Sequence, residues 1–143
     1  MIPIDLSRFL RAQEGTIDQA LSEIRGGLKQ SHWMWFIFPQ FDGLGFSETA
    51  RYYAIHSVNE ATAYLEHPVL GSRLRECMEA VLAIQGHSML EVFGTPDDLK
   101  LRSCATLFAS VSPEESVFQQ VLKKHFGGVP DEKTLDLLKQ SQA

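Results

Sequence analysis

Five histidines, two cysteines and a few basic side chains are the groups in this 143-residue chain from which a reaction or a binding site would have to be built. The histidines are His32, His56, His67, His87 and His125, and no two of them stand four residues apart as a helical metal-binding pair would. Neither Cys77 nor Cys104 has a partner at CxxC spacing, so no metal site and no cofactor are predicted. Gly26-Gly27 and Gly43-x-Gly45 are not phosphate-binding loops, because neither follows a predicted strand and no Gly-Lys-Ser/Thr occurs. A nucleophile elbow is also missing. What remains is a set of polar residues that core helices would not need. Arg73, Lys100 and Arg102 have the charge to hold a carboxylate or phosphate. Trp33 or Trp35 offers a face for a planar group, and His32 or His67 supplies a group that titrates near neutrality. Ser31 and Gln40 close the two ends of the segment that carries both tryptophans. Each residue also has a plainer structural reading. Arg73 bridges helices through an ion pair, His32 bonds a backbone carbonyl, His67 caps a helix, and the tryptophans fill the core.

The element that must position these groups is Ser31 to Phe41, which holds both tryptophans together with Phe36, Phe38 and Phe41. It has no polar face, so it must be buried and the other segments must pack around it. Periodicity alone does not separate a buried strand from a short buried helix here. Helix is the expectation, because a lone strand would have no partner in a chain whose other segments read helical. Ser31 would be its N-cap and Pro39 its stop. The following loop, through Phe41, Leu44 and Phe46, is expected to tuck its large side chains inwards.

Helix signals fill the rest of the chain. Leu6, Phe9 and Leu10 share one face of a first helix that Gly15 stops, and Gln13 extends that face, bridging backbone groups. Thr16 with Gln19 reads as a capping box before Ile17, Ala20, Leu21 and Ile24. Ser47, Ser57 with Glu60, and Ser88 with Glu91 mark three further starts. Pro68 opens a longer helix with the stripe Leu70, Leu74, Cys77, Met78, Val81. On that helix Arg73 lies at the stripe's spacing, so its guanidinium is expected to reach inwards. Thr95-Pro96-Asp97-Asp98 and Ser112-Pro113-Glu114-Glu115 each combine a cap, a proline and two carboxylates at the positive end of the helix dipole. A last helix begins near Asp131. The fold expected is one all-α domain over residues 1–143, with about seven to nine short helices around the buried aromatic segment.

Bulk properties agree. A chain of this length buries roughly 68–70% of the surface it exposes when unfolded, enough for a core without staples. The formal net charge of −5 argues against nucleic-acid binding and against docking on anionic lipid. No apolar run is long enough to span a membrane, and Met1 to Asp5 lacks a basic signal-peptide region. A cytoplasmic location is therefore expected, with Cys77 and Cys104 as buried thiols and not a disulfide. The oligomeric state is not legible.

The run Lys29-Gln30-Ser31-His32-Trp33-Met34-Trp35-Phe36-Ile37-Phe38-Pro39-Gln40 resembles the signature of the domain of unknown function family 1810. Four more stretches are similar to its pattern: Phe9 to Gln13, His67 to Leu74, Phe93 to Ser103, and Phe126 to Gly128. Together they span nearly the whole chain. The resemblance implies a compact helical domain of a small bacterial protein and implies no activity. Some members carry the label calpastatin, which does not suit this chain, since such an inhibitor is long and disordered and this sequence is rich in core residues. Cys104-Ala105 departs from the Ser-Met expected there, a change in how the core is filled.

Two functions follow as expectations. The first is a small-ligand site, open to catalysis, beside the aromatic segment and built from Ser31, His32, Trp33, Trp35, Gln40, His67, Arg73, Lys100 and Arg102. The second is an interaction or oligomerisation module without chemistry, in which part of the aromatic segment or its loop is exposed to a partner.

Overall fold

A computed structural model describes residues 4–141. Among them the chain forms ten helices and no strand. In order they are α1 (Ser7–Glu14), α2 (Ile17–Arg25), α3 (Met34–Ile37), α4 (Glu48–Tyr52) and α5 (Val58–Glu66), then α6 (Leu70–Leu82), α7 (Met89–Phe93), α8 (Asp97–Ser110), α9 (Val117–His125) and α10 (Glu132–Ser141). The all-α expectation holds. Three helices have five residues or fewer, which is why the number slightly exceeds seven to nine. The only pairing of extended backbone among the described residues is an isolated parallel bridge between Phe41 and Ile55.

The core is a single cluster. Helix α6 packs against α2, α5 and α9, while α8 packs against α7, α9 and α10. Its stripe residues Leu70, Leu74, Cys77, Met78 and Val81 are all buried, as their spacing predicts. A chain of rings runs through the interior. Phe9 meets Tyr64 edge-on at 5.1 Å between centroids, Tyr64 meets Phe108 at 5.5 Å, and Phe108 meets Phe118 at 5.7 Å. Both cysteines are free and buried; burial pushes the Cys77 thiol up to about 12 and raises Cys104 as well, so neither is a nucleophile at neutral pH.

Several helix starts differ from their sequence signals. Ser47, Ser57 and Ser88 cap α4, α5 and α7 as expected, with Glu91 completing the box at Ser88. Thr16 makes no side-chain cap, and the Gln19 side chain turns to Glu23 and Ser31. The helix expected from Ser112-Pro113 begins later, at Val117, where the Ser116 hydroxyl accepts the Gln119 N–H. Pro96 itself, not Thr95, occupies the N-cap of α8. Pro68 lies in the turn before α6. The loop after the aromatic segment also departs from expectation: Phe41 is buried, but Phe46 is 69% exposed with the Lys133 ammonium 5.8 Å from its ring.

The largest departure concerns the aromatic segment. Ser31 is not its N-cap; α3 starts three residues later, with Trp33 at the cap position. Ser31 is occupied with Glu23 of α2. One Glu23 oxygen accepts the backbone N–H groups of Gln30 and Ser31 at 2.8 and 3.0 Å and the Trp33 indole N–H at 2.9 Å. The other accepts the Ser31 hydroxyl at 2.7 Å and the Gln19 amide at 3.0 Å. A single buried carboxylate thus supplies acceptors to a strap, residues 28–33, that has no secondary structure to satisfy its own donors. Burial by itself would raise the Glu23 pKa. The hydrogen bonds from Ser31, Gln30 and Trp33 outweigh it and hold the group at about 2, against an ordinary 4.5.

A second polar clamp fixes the other side. Arg8 donates to the carbonyls of Tyr52 and Ala54 at 2.7 and 2.9 Å and pairs with Glu60 at 3.3 Å. Glu60 in turn accepts the His56 N–H at 2.9 Å. The clamp joins α1, the end of α4 and the start of α5.

Two predictions arise here. Gly71 sits where α6 begins against the end of α5, and a Cβ there would run into the carbonyl oxygen of Leu65. Gly71→Ala is expected to destabilise the fold by about 3 kcal/mol, read as a lower denaturant midpoint at unchanged slope. The second concerns pH. The depressed Glu23 pKa contributes stability in full above its unfolded value of 4.5, and that contribution disappears as pH falls towards 2. The wild-type chain should exceed Glu23→Gln in melting temperature at pH 6, and the gap should narrow steadily below pH 4.5. A gap independent of pH between 6 and 2 would contradict the assignment.

Candidate functional site

The strap held by Glu23 sets up a cleft where three of the candidate residues meet. Its Lys29 backbone N–H is tied to the Val92 carbonyl of α7 at 2.8 Å, and its Lys29 side chain runs inward with only 9% exposed. The Lys29 ammonium donates to the Ser31 carbonyl at 2.6 Å, lies 4.9 Å from the Trp33 ring and pairs with Asp97 at 3.0 Å. The other Asp97 oxygen pairs with Lys100 at 3.0 Å, one turn along α8. Burial would raise the Asp97 pKa, but the hydrogen bonds and charges of Lys29 and Lys100 overcome it and keep the carboxylate below its ordinary 3.8. Two ammonium groups therefore share the Asp97 carboxylate.

Beside it, α3 presents Trp35. The Lys100 ammonium lies 4.2 Å from the centre of its ring. The ring's far edge abuts Gly45, where a Cβ would come within 2.8 Å of Trp35 Cη2 and 2.6 Å of Ala50 Cβ. Glycine is the residue that leaves room for the indole. Lys100, Asp97, Trp35, Phe36, His32 and Thr49 line a cleft of about 310 Å³ between the start of α8, α3 and the start of α4.

Three of the nine sequence candidates, His32, Trp35 and Lys100, share this cleft. The other six lie outside it. Trp33 is fully buried and Ser31 serves Glu23. Gln40 is buried with no partner for its amide nitrogen among the described residues. His67 accepts the Val69 and Leu70 N–H groups on Nδ1 at 3.1 and 3.2 Å, which is the capping role. Arg73 does reach inwards, as its place on the stripe predicts: it approaches Gln13 Oε1 at 3.5 Å, while Gln13 donates to the Phe36 carbonyl and the Tyr64 hydroxyl. Arg102 donates to the Val129 carbonyl at 2.9 Å and ties α8 to the segment before α10.

Sequence reasoning missed Lys29 as a site residue and read Asp97 only as a helix-dipole partner. It missed Glu23 altogether, although a carboxylate beside Ile24 and three residues after Ala20 on an apolar stripe is a readable signal.

Two other hollows have less to offer. One, of about 270 Å³ between α8 and α9, is lined by Leu122, Pro130 and Leu135, and its one cation, Lys123, is paired with Glu115 at 2.9 Å. The other, of about 430 Å³, surrounds His67 and sets Glu66, Glu76 and Glu79 against Arg75. No group of three or more His, Cys, Asp or Glu side chains among the described residues could hold a metal ion. No helix among them is long and apolar enough to cross a membrane.

Comparison with known proteins is consistent with this picture of fold. The chain is similar to the conserved hypothetical protein Rv1873 from Mycobacterium tuberculosis, whose crystal structure has a TM-score of 0.94 to it at 48% sequence identity, covering 96% of this chain and 99% of that one. No curated protein matches the chain. Residues 3–138 match the family model described as Protein of unknown function (DUF1810), the family whose signature the tryptophan run resembles, and the chain belongs to that family.

Proposed function

We propose that the protein binds a small anionic ligand in the cleft between α3, α4 and the start of α8, and that Lys100 makes the charged contact. The observation that carries this reading is the two-to-one ratio of ammonium to carboxylate in the Lys29–Asp97–Lys100 cluster. Lys29 is used up by Asp97, the Ser31 carbonyl and the Trp33 face. Lys100 is more exposed and is engaged by Asp97 and the Trp35 ring, which leaves a donor for an incoming oxygen. A cation on the wall of a partly enclosed cleft attracts anions more strongly than one in open water, even on an acidic protein. His32 stands at the rim as an exposed group that can add a hydrogen bond. Among the described residues no hydrogen bond joins His32 to Ser47 or Thr49 of the cleft, and binding is the function proposed. Arg73, Arg102, His67, Gln40, Ser31 and Trp33 have no place in this reading.

The interaction-module reading has one observation of its own. Phe46 and Tyr52 are 69% and 52% exposed on the loop and helix that follow the aromatic segment. If that surface joins two copies, sedimentation at rising concentration will show a dimer that Phe46→Ser abolishes.

The binding reading is tested by melting the wild-type protein with inorganic phosphate, acetate, benzoate and phenyl phosphate at 10 mM, with the neutral benzyl alcohol as control. At least one anion is expected to raise the melting temperature in a saturable way, while benzyl alcohol does not. Lys100→Ala should reduce affinity at least about tenfold, the loss of one charge-assisted hydrogen bond. Equal shifts in wild type and Lys100→Ala would move the site elsewhere.

A further inference from the structure

The cleft does not end at Trp35. Phe36 and Thr49 also line a second, more open hollow of about 480 Å³, whose other walls are Glu48, Tyr52 and Tyr53. The two hollows adjoin at Phe36 and Thr49 and are taken together as a groove. Its floor is a run of rings: Phe36 lies 5.3 Å from Tyr53, and Tyr53 lies 4.8 Å from Tyr52, which it meets edge-on. The groove thus has the Lys100 ammonium at one end and the Tyr52 ring at the other. The exposed Glu48 carboxylate stands at the aromatic end.

Taking the anion-binding reading as its basis, we infer that the ligand is an elongated monoanion with an aromatic ring, its charge at Lys100 and its ring over Phe36 and Tyr52. Three observations select this class. The Trp35 face is already covered by Lys100, so a ligand ring finds its stacking surface further along, at Phe36 and Tyr52. Tyr52 is 52% exposed although it meets its neighbour Tyr53 edge-on, so part of its ring stays open to a ligand in the groove. Glu48 repels a second anionic group at that end, so a molecule with anionic groups at both ends is a poor fit. A bare anion would touch only the first hollow and leave the rings exposed.

Tryptophan-fluorescence titration of the full chain with propionate and 3-phenylpropionate tests this. The two share a carboxylate and differ by the ring. In the wild type, 3-phenylpropionate is expected to bind at least about tenfold more tightly, the worth of burying much of one ring. Tyr52→Ala should erase most of that gain and leave propionate unchanged; Tyr52 is an exposed residue, so the variant keeps the fold. Lys100→Ala should weaken both ligands alike. If both carboxylates bind equally and both depend on Lys100, the anion site stands and the aromatic extension is wrong. If the ring gain survives Tyr52→Ala, the extension is wrong as placed. If neither carboxylate depends on Lys100, the anion site itself falls, and the extension with it.

Discussion

The Glu23 carboxylate is the interaction on which the rest of this structure depends. The strap between α2 and α3 has neither helix nor sheet to satisfy its donors. Four of those donors and one from α2 converge on a single carboxylate. Among them is the indole N–H of Trp33, a side chain with no solvent exposure at all. A buried indole N–H without an acceptor is costly, and so is a buried carboxylate without donors; each solves the other's problem. With the Trp33 ring locked, α3 can begin at Met34, and Trp35, two residues on, emerges half-buried at the cleft. The same strap delivers Lys29 to Asp97. Packing and candidate site are therefore consequences of one charge placement.

That arrangement also explains how two ammonium groups come to share one carboxylate on an acidic chain. Asp97 belongs to the first turn of α8, where the helix dipole favours a carboxylate, and Lys100 is its neighbour one turn later. Those two alone would be a neutral pair on a helix surface, of small value. Lys29, arriving from a distant part of the sequence, adds the second ammonium. Its burial and its cation–π contact with Trp33 keep it in place, and Lys100 is the more exposed of the two. Gly45 completes the site by leaving space for the Trp35 ring against Ala50.

Local chemistry was readable in the sequence and long-range pairing was not. Ser47, Ser57 and Ser88 announce their helices because a cap is a contact across three residues. The stripe from Leu70 to Val81 announces its buried face for the same reason of short range. Ser31 misled because its hydroxyl donates to Glu23, eight residues back, instead of accepting an N–H of the aromatic segment. Phe46 misled because hydrophobicity does not say which loop residue turns outward. Within the candidate site, Trp35, His32 and Lys100 were singled out by type, but Lys29 and Asp97 acquire their role only when the strap meets α8. Arg73 and Arg102 were plausible anion ligands by type, yet they turn to Gln13 and to the Val129 carbonyl, away from the cleft that Lys100 lines. Spacing along a helix cannot show that.

The central claim is that a strap pinned by Glu23 presents Lys100 and Trp35, but not Trp33, to an anion. Chemical-shift mapping of the isotope-labelled protein with 3-phenylpropionate addresses it directly, because the two indole N–H signals report separately on the core and on the cleft. Saturable shifts are expected at the Trp35 indole and at backbone amides around Lys100 and Thr49, with the Trp33 indole N–H unmoved in its bond to Glu23. Shifts centred on Leu122 and Leu135 between α8 and α9, or no saturable shift at Trp35, would contradict the claim.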